Sequence, residues 1–544
     1  MPNFIELILF ISSCIITIIF YLILGKLFLS KNNRNFYDNL IFGVIFASFI
    51  SLSLNFILPL TKELNSIFQI LVIFIFFIFY KKKIYFSEIK KIILISLCIL
   101  ILISFDTEFR PDAYLYHLPY SQILNENKII PGISILHFRF GHISIFQYLS
   151  SFNYTIFSGL NGLLIPSAIF CISIFLYFLN DLSSLLDNKK ITFGKLFSFL
   201  IFIYICLRIN RFGEFGNDAM SHLTVFFLVS KFIYLKKYDL KNYNKILLLC
   251  IFSILNKSFL VFTMIIPAYI FFKKRLNLFK ATLNFPVLIL FLWIVKNILV
   301  SGCAIYPVQS TCLSSLKWVN VQEVNNESIK AEAWAKGWPE REEKNISKEK
   351  FNKNFNWLSA WQKNLQYIFL KNLVPFLFFV FLFSVFFRGK NVLEKLEGEK
   401  KSIIFLFSLI GTIFFIIKFP LYRYGYSYLI IFIVMISLQF LNEINSKRFF
   451  KFTKVLIIIC LISVFLKQGQ RIYKYHEERT LIPSDRSLPL EDQENFKKIY
   501  ISKNFYYYKS ITECKYFKSP CTHISLDKLY HKKVGIYDVI FKKF

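Results

Sequence analysis

No Walker-type nucleotide loop, no GxGxxG, no GxSxG and no HExxH occurs in the chain. Their absence leaves a nucleotide-driven pump or a familiar serine or zinc hydrolase without support. No period of 20–50 residues recurs, so no repeat architecture is expected. Acidic residues are scarce: 33 Asp and Glu face 65 Lys and Arg, for a net charge of +32. In a soluble protein that excess would point to nucleic acid. Here most basic residues sit in short connections between apolar runs, which is the positive-inside pattern with some attraction to anionic membrane lipid. Nucleic acid is therefore not an expected partner.

What the chain has in quantity is apolar surface. It is 56% hydrophobic and 19% aromatic over 544 residues, too apolar for one soluble core and suited to a polytopic, all-α membrane protein. The 68 Phe accompany abundant Ile, Leu, Lys and Asn, as in AT-rich coding, and are not read as an aromatic binding face. At about 20 residues per crossing, spans are predicted at 4–29, 40–60, 64–80, 91–105, 159–180, 195–209, 221–235, 281–300, 366–387, 402–418, 424–441 and 452–466. The run 246–272 supplies two short helices meeting outside at Asn256, Lys257 and Ser258, for about fourteen crossings in all. The stretch 143–157, with its Ser, Gln and Asn, is a juxtamembrane or re-entrant helix. Both local readings are needed to keep all basic loops on one side. The first run lacks a basic n-region and a small-residue cleavage site, so it reads as a retained helix.

This alternation divides the chain into N-terminal helices (1–105), a first large outside loop with juxtamembrane helices (106–158), a bundle (159–300), a second outside loop (301–365), C-terminal helices (366–466) and a small mixed α and β outside domain (467–544). Of ten cysteines, six lie in apolar runs. Cys303 with Cys312 and Cys514 with Cys521 form two close pairs in outside regions, which predicts two disulfides and an oxidising compartment. Neither pair has CxxC spacing, which speaks against zinc. Five of six Trp fall in 301–365 and read as membrane-edge anchors, with sugar stacking as the alternative.

Chemistry-bearing residues gather after the fourth span. Asp112 lies in DAYLYHLP, between Pro111 and Pro119 and five residues before His117. A carboxylate there can serve as general base or hold a divalent cation together with Asp106 and Glu108; a plain helix N-cap is the structural alternative. His117, His137, Arg139 and His142 offer proton-transfer or phosphate-binding groups, Arg139 with a forked donor. Glu214 and Asp218, four apart at the start of a helix, share a face and could approach the first loop, or could simply complement the helix dipole. Lys257, Lys296 and Arg423 are cations at or near the outside boundary and suit a polyprenyl-phosphate headgroup, with snorkelling as the alternative.

An acidic first outside loop, juxtamembrane helices, a second acidic turn and a short helix pair with Lys at its tip resemble the GT-C superfamily of lipid-linked-sugar glycosyltransferases. More closely, DAYLYHLP, IIPGISILHFRFGH, GNDA, SGCAIYPVQSTC with KWV, and CKYFKSPCT look like a bacterial multi-pass family without an assigned function. The superfamily resemblance implies inverting transfer from a polyprenyl-phosphate sugar to a glycan or lipid acceptor on the outer face of the bacterial inner membrane. Asp112 would then be the carboxylate base, and Lys257 and Arg423 would hold lipid phosphate. The chain differs from the superfamily in having Ala113 after Asp112 instead of a second acid, and three additional helices ahead of the one that typically precedes the loop. Two rival functions are a lipid-linked oligosaccharide flippase, which calls for charges deep in several spans, and a polysaccharide polymerase or ligase, which calls for essential residues in 301–365.

Overall fold

A computed structural model describes residues 4–29, 35–79, 85–105, 112–188, 191–213, 215–274, 285–338, 346–386, 388–392, 397–440, 443–444, 446–477, 495–516, 518–526 and 528–542. The protein is mostly helical. In chain order its helices are α1 (Phe4–Phe28), α2 (Phe36–Asn55), α3 (Lys62–Phe79), α4 (Phe86–Ile103), α5 (Leu118–Glu126), α6 (Ile145–Phe152), α7 (Ile165–Asn188), α8 (Phe193–Arg208), α9 (Asp218–Ile233), α10 (Leu240–Asn256), α11 (Ile265–Lys274), α12 (Phe285–Ser301), α13 (Val321–Ala335), α14 (Lys348–Asn352), α15 (Leu358–Asn364), α16 (Gln366–Phe386), α17 (Gly398–Lys418), α18 (Tyr422–Phe440) and α19 (Ser446–Tyr475). Among the described residues, 7 helices are long and apolar enough to cross a membrane: α1, α2, α7, α8, α16, α17 and α19. The other segments predicted to span are also helical, as shorter or more polar elements.

Local chemistry sets several of the helix starts. The side chains of Asn35, Thr192 and Asp239 accept backbone N–H groups at the openings of α2, α8 and α10, satisfying donors that have no partner within the helix. The antiparallel pair α1–α2 closes on two glycines. A Cβ at Gly25 would fall on the carbonyl of Asn39, and one at Gly43 on the carbonyl of Tyr21, so the backbones meet where a side chain would hold them apart.

One end of the bundle is stitched by lysines. Lys26 at the close of α1 meets Glu88 on α4 at 2.8 Å, and Lys231 on α9 meets Asp38 on α2 at 2.6 Å. Lys195 on α8 meets Asp181 on α7 at 3.2 Å, and Lys400 on α17 donates to the carbonyl of Leu235 at 2.5 Å. The opposite end is tied by amides and by Arg471, which caps the last carbonyls of α4 at Ile101 and Ser104, a favourable place for a cation. The two local features that the alternation required are present. The helix α6 spans only Ile145–Phe152, and the run after α10 breaks at Lys257, where φ is −152° and ψ 105°, before a 3₁₀ segment Ser258–Met264 leads into α11.

Both expected disulfides are formed, Cys303–Cys312 and Cys514–Cys521. Three of the five Trp of residues 301–365 depart from the reading as membrane-edge anchors. Trp357 is buried, and Trp338 and Trp361 pack with it around Phe351 and Ala333, so these three form a core for α13–α15 instead of membrane anchors. Trp318 donates its indole N–H to the carbonyl of Ile298. The C-terminal region also departs from expectation. The helix α19 runs on to Tyr475, past the predicted boundary at 467, and the described residues beyond it form strands and no helix. They are β3 (Phe496–Ser502), β4 (Phe505–Ser510), β5 (Cys521–Thr522), β6 (Leu529–Val534) and β7 (Tyr537–Lys542), following a short pair β1 (Arg388–Val392) and β2 (Glu443–Ile444) at the bundle edge. Runs such as KKIYIS and FYYYKS alternate at period two and are rich in Tyr and Ile, which favours a pleated surface. Ser502, His531 and Asp538 link the β3–β4–β5 sheet to the β6–β7 hairpin, through 2.9 Å contacts on both sides of the imidazole.

The glycine contact between α1 and α2 gives a direct test. Gly43→Val is expected to destabilise the detergent-solubilised protein by about 2–3 kcal/mol through overpacking, read as a lowered melting temperature. Gly398→Ala, where nothing lies within 4 Å of the added Cβ, leaves it unchanged.

Candidate functional site

Asp112 opens a π-helical turn over Ala113–His117, in which the N–H of Leu118 bonds back to the carbonyl of Ala113. Pro119 explains the widening. It has no N–H to offer the carbonyl of Leu115, and its ring crowds that carbonyl, so the turn opens to an i→i+5 pattern of the kind that recurs at functional sites. Residues five apart then come round toward the same side, and Asp112 is near enough to His117 to act on its charge.

Three further segments converge on this turn. Asp218 is the first residue of α9, outside the span expected at 221–235, and Asn217 beside it donates to the carbonyl of Asn256 at the end of α10. That contact sets Lys257 against Asp218 as an ion pair. Lys257 also donates to the backbone carbonyl of Arg423 at 2.6 Å. The Arg423 guanidinium reaches the Asp112 carboxylate at 2.9 Å across 311 positions of chain. One residue at the start of α18 thus joins α9, the α10 tip and the first loop.

The charges in this cluster are unequally shielded. The side chain of Lys257 is 7% exposed, whereas Asp218 is 38%, Asp112 33% and Arg423 30% exposed. Asp218 sits deep among protein atoms with its outer edge accessible. Burial pushes its carboxyl up, but Lys257 and Arg423 outweigh that and hold it at about 2. Burial lowers His117 to about 4, partly opposed by Asp112 and Asp218 and reinforced by Arg423 and Arg139. The tautomer of His117 follows from its neighbour. The Gln147 carbonyl oxygen accepts both the N–H and the O–H of Ser144, so its amide N–H₂ donates to His117 Nδ1 and the ring proton lies on Nε2.

The remaining predicted residues divide. Arg139 lies over the rings of Phe138 at 5.1 Å and Tyr116 at 5.6 Å, close enough to act on Tyr116 and His117 together with Asp112 and Arg423. His142 packs edge-on against Tyr306 at 5.1 Å, and His137 stands 5.0 Å from His523; neither contacts the Asp112–Arg423 pair. Lys296 is not brought to the cluster. Its ammonium lies 3.3 Å from the carbonyl of Ile143 and 3.5 Å from the centre of the Trp293 ring, where a buried cation is accommodated by an oxygen and an indole face. Glu214, Asp106 and Glu108 lie outside the described residues, so the divalent-cation set of Asp106, Glu108 and Asp112 is represented here by Asp112 alone. Among the described residues no group of three His, Cys, Asp or Glu is placed to hold a metal.

Three further residues belong to the site: His222 and Tyr424, which the sequence did not single out, and Trp334, one of the Trp expected to be a membrane-edge anchor or a sugar-stacking ring. His222 is fully buried, donates from Nε2 to the Arg423 carbonyl at 3.0 Å and contacts the Ser427 hydroxyl at 2.7 Å. It lies four residues after Asp218, one turn along the same helix face, a spacing that could have been noticed. Tyr424 lies under both cations, 4.9 Å from Lys257 and 5.5 Å from Arg423. Trp334, 41% exposed, has Arg423 over its ring at 5.3 Å; no local signal in α13 marks it.

Three enclosed or partly enclosed histidines make the acid side of stability testable. Burial lowers His117 to about 4, and His137 and His142 each to about 3, from an ordinary 6.5. Each stays neutral in the folded protein while the unfolded chain takes up a proton. Stability is therefore full above about pH 6.5 and falls as the pH drops toward the folded-state values, by up to about 1.4 kcal/mol per pH unit for each histidine. The melting temperature in detergent is expected to fall between pH 7 and pH 5, with a shallower fall in His142→Gln. Equal slopes in the two proteins would remove His142 from this account.

Residues 4–430 match a family described as a domain of unknown function, DUF8201, a stretch that contains Asp112, Asp218, Lys257 and Arg423. No curated protein and no solved structure matches the chain. The chain belongs to the DUF8201 family.

Proposed function

We propose that the protein is an integral-membrane glycosyltransferase of GT-C type. It has about fourteen crossings in a bacterial inner membrane and moves a sugar from a polyprenyl-phosphate donor to a glycan or lipid acceptor in surface-polysaccharide or glycolipid assembly. The observation that carries this reading is the meeting of two carboxylate–cation pairs, Asp112 with Arg423 and Asp218 with Lys257, at the end of the bundle away from the lysine-stitched connections. With Arg139 close by, cations outnumber carboxylates, which favours an anionic ligand such as a lipid phosphate.

The two carboxylates take different roles. Asp218, held at about 2 by Lys257 and Arg423 after burial has been outweighed, is a poor base and positions Lys257. Asp112 has one cationic partner and an accessible edge. A donor phosphate that engages Arg423 competes for the guanidinium and frees Asp112 to take the proton of an acceptor hydroxyl. The acceptor oxygen then bonds to the anomeric carbon as the carbon–oxygen bond to phosphate breaks. The bonding pair leaves on the phosphate, which Arg423 and Lys257 stabilise. Inversion follows from attack opposite the leaving group.

In membranes supplied with polyprenyl-phosphate sugars, Asp112→Asn is expected to lower the transfer rate by about 10²–10⁴-fold, the usual contribution of a general base. Arg423→Lys should raise KM for the lipid donor, because a point charge replaces a forked contact. Wild-type transfer by Asp112→Asn at normal expression would overturn the mechanism.

A further inference from the structure

The C-terminal sheet buries one face and leaves the other bare. Phe505 and Tyr507 are buried, with Ile499 and Ile501 packed beside them against the main core. Strand alternation sends Lys498, Tyr500, Tyr506 and Tyr508 to the opposite face. The register places Lys498 across from Tyr508 and Tyr500 across from Tyr506. Tyr500 is 63% exposed. The Tyr500 and Tyr506 rings lie 5.8 Å apart, and Tyr506 and Tyr508 lie 5.5 Å apart and nearly perpendicular. The Lys498 ammonium stands 3.7 Å from the centre of the Tyr506 ring and 4.9 Å from that of Tyr500, and Lys518 stands 5.8 Å from Tyr508 at the other end of the strip.

The charge of the C-terminal strands is mostly basic. Lys498 lies on the strip and Lys518 at its end, with Glu126 near Tyr508 and Lys518; Lys497 and Lys509 alternate to the other face, and over residues 495–542 the described acids are Glu513 and Asp538. The sheet sits at the same end as Asp112, since the N–H of Lys515 bonds to the carbonyl of Tyr114 in the π turn. The lysine-rich connections that orient a membrane protein are at the other end, so the orientation rule does not account for these lysines. Rigid tyrosines offer ring faces to sugar C–H groups and hydroxyls to sugar oxygens, while ammonium groups pair with carboxylates. No aliphatic side chain interrupts the strip to suit insertion into lipid.

We infer that the Lys498–Tyr500–Tyr506–Tyr508 face of the C-terminal sheet binds an acidic polysaccharide, with sugar rings on the tyrosines and uronate carboxylates on Lys498. The site is separate from the transfer centre and does not depend on the reaction assigned to it. The full chain in phosphatidylcholine nanodiscs is titrated with polygalacturonate oligomers. Binding is expected to weaken with salt and to fall at least tenfold in the double variant Tyr500→Ala, Tyr506→Ala. Lys498→Gln should weaken the acidic oligomer severalfold, and neutral dextran should bind far more weakly than polygalacturonate throughout. Tyr500→Ala alone, at an exposed ring, should show part of the loss with an unchanged melting temperature, and Asp112→Asn should bind as wild type. No binding of polygalacturonate, equal binding of dextran, or variant-sensitive binding found instead on phosphatidylglycerol vesicles would overturn the assignment.

Discussion

The first loop, α9, the α10 tip and α18 depend on one another through the main chain and side chain of Arg423. Its carbonyl accepts Lys257 and His222, and its guanidinium holds Asp112. A guanidinium at the boundary of an apolar bundle cannot shed its charge, and leaving it unpaired is costly. The fold answers with a carboxylate from the first loop. The ammonium of Lys257, nearly enclosed, raises the same demand and is met by Asp218. In a chain with 33 acids against 65 basic residues, two acids are committed to one small region.

That arrangement also separates what is fixed from what can move. The contacts to the Arg423 carbonyl are shielded on the donor side, where His222 is fully enclosed and Lys257 nearly so, so the start of α18 is held in place. The contact from its guanidinium to Asp112 is accessible on both sides. A partly exposed ion pair contributes little net stability, so a competing anion can displace it at small cost. The backbone clamp supplies the position and the exposed pair supplies the exchangeable contact.

Much of this was legible in the sequence where a single side chain contradicted its surroundings. The break at Lys257 followed from NKS interrupting a long apolar run, and Asp112 followed from its place between two prolines. Asp218 and Arg423 were visible as charges at helix starts. Legibility failed where tertiary packing supplied the meaning. Lys296 contradicts its apolar run as strongly as Lys257 does, yet a carbonyl and the Trp293 ring accommodate it. The Trp of residues 301–365 look like anchors in composition, and only folding shows that Trp338, Trp357 and Trp361 close a core of their own. His222 sits inside an apolar run, where its place four residues after Asp218 was the one signal available.

The C-terminal strands explain how the first loop keeps the geometry of the site. The matched family region ends at residue 430, and these strands lie beyond it, yet they are built onto the first loop. The N–H of Ile540 bonds to the carbonyl of Pro131, and that of Lys515 to the carbonyl of Tyr114. Thr522 donates to the carbonyl of Leu136 at 2.7 Å. Gly132, at φ +81°, has the carbonyl of Ile540 so close that a side chain there would collide with it. Lys515 adopts φ 53°, a left-handed conformation that a lysine reaches only at some cost. The Cys514–Cys521 bridge closes the turn that contains it. The bridge therefore holds a backbone donor against the π turn that presents Asp112. Two residues after Asp112, the carbonyl of Tyr114 is fixed from outside the bundle, while Arg423 fixes the carboxylate from within it.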